Sequence, residues 1–236
     1  MAFMSHRRVV ITGLGAISNL GHDVESTWSG LLEGRSGIGP ITSFEQDDQW
    51  IATIAGEVRD WDPADKLDRG EIKKTDRFAQ LGLWAAIEAM ENSGLDWGQG
   101  DAHRRGVVIG SGVGGIQTIE HFAGVLQEKG PRRLSPFTVP KLMLNAAAGN
   151  ISIRFDLKGV NSAPATACAS SGHALAEACM FIATNQADFI LAGGAEGAVS
   201  PVCISSFSAM KALSTRNDEP TLASRPFDRD RDGFVL

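Results

Sequence analysis

Tyrosine is absent from these 236 residues, cysteine occurs three times, histidine five times, and no apolar run is long. The missing tyrosine has no physical account, but the other scarcities exclude whole classes. Cys168, Cys179 and Cys203 stand 11 and 24 residues apart, too few for a disulfide framework and matching no zinc spacing. They are expected to be free thiols. His6, His22, His103, His121 and His173 are scattered without a paired ligand spacing, so neither a metal nor another cofactor is expected. No stretch approaches the roughly 18 apolar residues of a membrane-spanning helix, and the run from Val9 to Ile17 is broken by Thr12, Gly13 and Gly15, which suits a secretory leader poorly. A cytoplasmic protein with no membrane span is expected. A formal charge of −6 and a pI near 5.4 exclude a general nucleic-acid binder, which needs a basic surface to neutralise phosphates.

What is present is an ordinary globular composition, 43% hydrophobic and 21% charged, enough for one large core or two modest ones. Arg8-Val9-Val10-Ile11-Thr12-Gly13 reads as a strand, and residues 24–32 after Asp23 as a helix with an acidic cap. Residues 49–58 could form an edge strand, and Asp60-Trp61-Asp62-Pro63 a turn or helix entry. Over 75–92, Phe78, Leu81, Ala85 and Ala89 fall on one helical stripe that stops at Ser93-Gly94. Residues 106–110 read as a buried strand, 116–129 as a helix, and 140–154 as a second helix with Pro140 in its first turn and a small-residue centre at Ala146-Ala147-Ala148-Gly149. A strand at 161–167 leads to a helix at about 170–184, then a strand at 187–192. The alternation predicts an α/β sheet with helices on its faces. Asp232-Gly233-Phe234-Val235-Leu236 looks like the beginning of another strand, so a truncated chain is expected.

The segment with most chemistry is Ala165-Thr166-Ala167-Cys168-Ala169-Ser170-Ser171-Gly172, where a strand gives way to a helix through small residues. A cysteine there meets a helix dipole and unpaired N–H groups, which favour a thiolate and can hold an oxyanion beside it. The competing reading is a buried, inert thiol, which is also the expectation for Cys179 and Cys203. His173 lies five residues on, about 500° around the helix and so some 140° from Cys168, and is expected to point elsewhere.

Two glycine-rich turns, Gly13-Leu14-Gly15-Ala16-Ile17-Ser18 and Gly110-Ser111-Gly112-Val113-Gly114-Gly115, invite a nucleotide-binding reading. Neither is followed by a strand-end carboxylate at the right distance, and tight turns or the lining of an apolar pocket are favoured. Asp228-Arg229-Asp230-Arg231-Asp232-Gly233 copies the first half of a calcium loop, but Pro220, Pro226 and the interleaved arginines favour a solvated, salt-bridged turn. Lys73-Lys74 and Arg132-Arg133, with Lys211 further on, are solvated charge or a local landing site for an acidic partner.

At Thr166-Ala167-Cys168 the chain resembles the β-ketoacyl-acyl carrier protein synthases, most closely the synthase II class of bacterial fatty-acid synthesis. The likeness continues through Ile109-Gly110-Ser111-Gly112-Val113-Gly114-Gly115, Ser135-Pro136-Phe137, Ala192-Gly193-Gly194-Ala195-Glu196 and Ala212-Leu213-Ser214-Thr215-Arg216-Asn217. The resemblance implies that all of residues 1–236 form the N-terminal half of a thiolase-like, five-layered αβαβα homodimer, with a five-stranded mixed sheet in this half. It implies that Cys168 takes an acyl group from acyl carrier protein, after which a malonyl carrier loses carbon dioxide and its carbanion attacks the thioester. By the same likeness Val113 gates acyl depth, Ala198 and Phe207 line the acyl pocket, and Lys73, Lys74, Arg132, Arg133 and Lys211 meet the acidic carrier. Pairing across the dimer is implied for the strand at 161–165. The family's decarboxylating histidines, its lysine and the phenylalanine of its oxyanion hole belong to a second half, and none of the five histidines here lies in those motifs. The fragment alone is therefore not expected to condense. Two other readings are a non-catalytic, chain-length-factor-like dimer partner, which would lack the cysteine, and a nucleotide-binding oxidoreductase.

Overall fold

The structure, a computed structural model, describes residues 7–236. In chain order its elements are α1 (Val24–Leu32), β1 (Gly39–Pro40), β2 (Ile54–Ala55), α2 (Arg69–Lys74), α3 (Arg77–Asn92), β3 (Arg105–Gly110), α4 (Ile116–Lys129), α5 (Thr138–Leu142), α6 (Ala146–Phe155), β4 (Asn161–Ser162), α7 (Ser170–Ala183), β5 (Phe189–Gly194) and α8 (Pro201–Ala209), with short 3-10 turns between them. They fall into two compact units. The first holds the described residues up to Ala16 and Asp62–Gly197; the second holds Ile17–Trp61 and Ala198–Leu236.

The first unit is built on a parallel sheet in the order β4-β3-β5. All six residues of β3 are buried, as a central strand covered on both faces requires. Alternation along the strand divides those faces. Val107 and Ile109 join Phe78, Leu83, Ala147 and Ile151 of α3 and α6 in the core, while Gly110 meets the start of α7. Helices therefore flank the sheet, as the sequence predicts. Of the five strands that the resemblance implies, three pair among the described residues.

The residues predicted as the first strand, 8–13, pair with no strand. Their chain runs against α3, where a Cβ on Gly13 would lie 2.3 Å from the Ala89 carbonyl oxygen and one on Gly15 would lie 1.9 Å from that of Ala85. The N–H groups of Leu14 and Ala16 donate to the side chains of Asn92 and Glu88, at 3.0 and 2.9 Å. Val10 and Ile11 are left 61% and 81% exposed. The segment covers Ala85 and Ala89 of the expected stripe, which are half-buried, while α3 also buries Leu83, Trp84, Ile87 and Met90 outside that stripe.

The expected helix at 75–92 starts later, because the buried Asp76 caps α3 through the Phe78 N–H and also accepts from the N–H and hydroxyl of Thr118. The helix expected at 140–154 is two, broken at 143–145, with Met143 in extended conformation. The strand expected at 161–167 ends after Ser162, and the rest of that run approaches α7 as a turn.

The second unit has little sheet. Its two-residue strands pair antiparallel, Gly39 with Ala55 and Pro40 with Ile54, so the expected strand at 49–58 is realised only in part. Its core joins Ile41, Ala52, Ala55, Ile204 and Leu213, with Phe207 and Leu236 packed against them. Asp23 caps α1 at 2.7 Å from the Ser26 N–H, as its position predicts. Three side chains tie the loops. Glu57 accepts from the N–H and hydroxyl of Thr42 and the N–H of Ser43, and it pairs with Arg59. Asp232 accepts from Ser214 and Thr215, and Asn217 bridges Ile51 and Thr53. The strand-like tail forms one bridge, Phe234 to Leu213. Among the described residues no helix is long and apolar enough to cross a membrane.

Candidate active site

β3 and β5 end together, with Gly110 paired to Gly194, so the turns after them leave the same edge of the sheet. In parallel α/β sheets that C-terminal edge is where ligands bind. The start of α7 reaches this edge because two glycines admit it. A Cβ on Gly110 would lie 2.4 Å from the Ser170 carbonyl oxygen, and one on Gly194 would lie 2.8 Å from the Ser171 Cβ.

Cys168 occupies the 3-10 turn Ala167–Ala169 that leads directly into α7, and it is exposed. The turn is sharp. Ala167 has φ +50°, a left-handed conformation that costs an alanine roughly 1–2 kcal/mol. Ser170, buried, holds it: its hydroxyl accepts from the Thr166 N–H at 2.9 Å and donates to the Ala167 carbonyl at 2.7 Å. The thiol is thus presented to solvent at a helix N-terminus, where the dipole favours an oxyanion formed beside the sulfur. An inert, buried cysteine fits Cys203, which is buried in α8, and not Cys168. Cys179 is exposed on the outer part of α7, away from a helix start.

No histidine is hydrogen-bonded to Cys168 among the described residues. His173 is exposed on α7, His22 bonds the Arg59 carbonyl, and His121 stacks edge-on with Phe122 at 4.8 Å. His6 lies outside the described residues.

The second glycine turn sits beside Cys168. A Cβ on Gly112 would lie 3.4 Å from the Ala167 Cα, and Val113 next to it is 38% exposed. Its N–H groups are occupied. Gly112 and Val113 donate to one oxygen of Glu196 at 2.8 and 3.0 Å, Gly114 to the Ser111 hydroxyl at 3.1 Å, and Gly115 to the Leu142 carbonyl at 3.2 Å. A phosphate would need those donors, so the geometry argues against a dinucleotide cradle. In the first glycine run the glycines serve close packing on α3. Among the described residues no three His, Cys, Asp or Glu side chains are grouped to hold a metal. The calcium-like run is a turn in which Arg231 donates to the Asp228 carbonyl and Asp232 faces Ser214.

Of the remaining predicted residues, the first unit brings together two of the basic segments. Lys73, at the end of α2, lies 5.7 Å from the Phe137 ring, in the loop that follows Arg132 and Arg133. Lys74, Arg132 and Arg133 are exposed there. Lys211, exposed, belongs to the second unit, as do the buried Ala198 and the half-buried Phe207. Phe207 stacks edge-on with Phe234 at 5.3 Å. Sequence reasoning gave no role to Glu196 or Ser170. The signal for Glu196 was available: a carboxylate just beyond a strand ending in Gly-Gly, level with a neighbouring glycine turn.

A family model described as Beta-ketoacyl synthase, N-terminal domain, matches residues 6–236. A 3-oxoacyl-[acyl-carrier-protein] synthase 2 of Coxiella burnetii is 50% identical over 233 residues, 99% of this chain and 56% of the relative. A protein of that name from Vibrio harveyi is 48% identical over the same shares. A crystal structure of a beta-ketoacyl synthase from Burkholderia phymatum, 31% identical, superposes with a TM-score of 0.85 over 97% of this chain and 56% of that one. The chain spans about half the length of the curated relatives it matches.

Proposed function

Since the chain belongs to the beta-ketoacyl synthase family, with the thiolase-like fold of its solved members, we propose that it carries the acyl-accepting nucleophile of a decarboxylating 3-oxoacyl-[acyl-carrier-protein] synthase of fatty-acid elongation. The single observation that carries this reading is Cys168, exposed on a strained turn at the start of α7 and at the C-terminal edge of the sheet. The Cys168 sulfur attacks the carbonyl carbon of an acyl thioester. The carrier's thiol leaves with a proton, and the acyl group remains as a new thioester. The carbanion that forms when a malonyl carrier loses carbon dioxide then attacks that thioester, releasing the Cys168 thiolate and a 3-oxoacyl carrier.

Acyl carrier protein is the partner this chemistry requires, and the relatives' name supports it. Lys73, Lys74, Arg132, Arg133 and Lys211 are its proposed contacts; the nearness of Lys73 to the 131–137 loop supports one basic patch for the first four. Val113 in the first unit and, separately, Ala198 and Phe207 in the second are proposed acyl-lining positions. A homodimer is proposed through β4, which lies at the sheet's edge with no outer strand partner among the described residues. We take both compact units as parts of one N-terminal half, acting in the cytoplasm, where free thiols stay reduced.

The test is intact-mass and peptide mapping after incubation with a palmitoyl thioester. An acyl adduct is expected on Cys168 and absent from Cys168→Ser, with no carbon–carbon bond formation by the 236-residue chain alone. Labelling at Cys179 in preference, or no adduct at Cys168, would overturn the assignment and revive the non-catalytic dimer partner.

A further inference from the structure

We infer that Glu196 is the positioning residue that fixes the acyl gate against the nucleophile turn, and so sets which acyl lengths Cys168 accepts. This rests on the reading of Cys168 and Val113 given above. The observation behind it is a clamp. One carboxylate oxygen of Glu196 accepts from the N–H groups of both Gly112 and Val113, at 2.8 and 3.0 Å, and the other accepts from the Ser111 hydroxyl at 3.3 Å. That hydroxyl accepts in turn from the Gly114 N–H at 3.1 Å. Four successive residues, 111–114, are therefore held from one side chain, directly or through one hydroxyl.

The other end of the clamp is rigid. Ala195, immediately before Glu196, donates its N–H to the Gly110 carbonyl at 3.0 Å and so continues the β3–β5 pairing. The carboxylate thus references the turn after β3 to the end of β5. The turn lies beside the residue that precedes Cys168, because Gly112 packs on Ala167. At Val113 the bond fixes main chain only, leaving the residue 38% exposed and its side chain directed by an anchored backbone. Charge-assisted bonds to amides are stronger than neutral ones, so an anion is well suited to this clamp. A shift of the turn by a fraction of an ångström would move the gate relative to the sulfur, and discrimination between acyl chains depends on such placement.

The experiment measures, on the full chain, the rate of thioester formation at Cys168 from short and long acyl thioesters, together with amide exchange of the peptide spanning 110–116. Glu196→Ala is expected to change the long-to-short rate ratio by about tenfold in favour of long chains, the effect of losing two backbone anchors. It should also lose protection at Gly112 and Val113. Glu196→Gln keeps an oxygen at the same reach without the charge and is expected to recover most of the ratio and the protection. Glu196→Asp, shorter by one methylene, should behave like alanine, and it carries the test if the alanine variant does not fold. An unchanged ratio in Glu196→Ala or Glu196→Asp, or a glutamine variant as altered as the aspartate one, overturns the proposal. If wild-type Cys168 forms no thioester, the function proposed above fails instead, and the exchange measurement alone decides whether Glu196 holds the turn.

Discussion

The two compact units reach order by different means. In the first, β3 lies between two parallel neighbours and under helices, and its hydrophobic core joins Phe78, Leu83, Val107 and Ile151, with the buried Asp76 tying α3 to Thr118. In the second, strands of two residues leave long loops, and the side chains of Glu57, Asp232 and Asn217 supply acceptors and donors to their backbone. The difference teaches where each unit is chiefly vulnerable: one to lost volume, the other to lost side-chain hydrogen bonds.

Phe78→Ala should break the comparison most. The side chain is fully buried in the first unit, and its loss is expected to cost about 3–5 kcal/mol, read as a fall in the denaturation midpoint and as amide exchange accelerated across α3, α6 and β3. Equal protection in the variant and the parent would mean that this core is not what holds the unit. Glu57→Ala, in the second unit, strands the N–H groups of Thr42 and Ser43 and is expected to cost about 2 kcal/mol, with exchange rising around 39–59 and not in β3.

Acidification sharpens the same contrast with the smallest effect. Burial pushes the Glu57 carboxyl upward, but hydrogen bonds from Ser43 and Thr42 outweigh it and hold the group below its ordinary 4.5. The Ser214 hydroxyl and the Thr215 N–H likewise hold Asp232 below its ordinary 3.8. Each carboxylate is depressed in the folded chain, so its contribution is full above the unfolded value and is lost as pH falls through the folded one. Exchange protection in the second unit should therefore weaken progressively below about pH 4.5, the ordinary value of the higher of the two groups. In the first unit, Asp188 is held at about 2 by Arg104 and Arg7 and should keep its pairing to lower pH. Simultaneous loss in both units would contradict the division.

The sequence was informative where local signals and packing agree. Asp23 ahead of an amphipathic run placed α1 to the residue, and the apolar run 106–110 marked β3. It misled where an apolar run meets something other than a sheet: Val9-Val10-Ile11 has the composition of a strand, yet its neighbours Leu14 and Ala16 bond side chains of α3. Helix breaks at Asp76 and Met143 were not visible from periodicity, because each depends on a partner far along the chain or on backbone geometry. In the candidate site, the strand-to-helix setting of Cys168 was legible from small residues around one cysteine. Missing were the strain at Ala167, the hydroxyl of Ser170 and the clamp at Glu196, all of which need the third dimension.

The left-handed Ala167 has a consequence for substitution tolerance. Glycine would occupy that conformation more cheaply, and asparagine or aspartate would tolerate it, so local stability alone would select against alanine there. Glycine, however, would return freedom to the turn that aims the sulfur, and a polar side chain would intrude beside Gly112, which already packs on the Ala167 backbone. The position is one at which a residue that the backbone disfavours leaves the turn beside the thiol less free than glycine would.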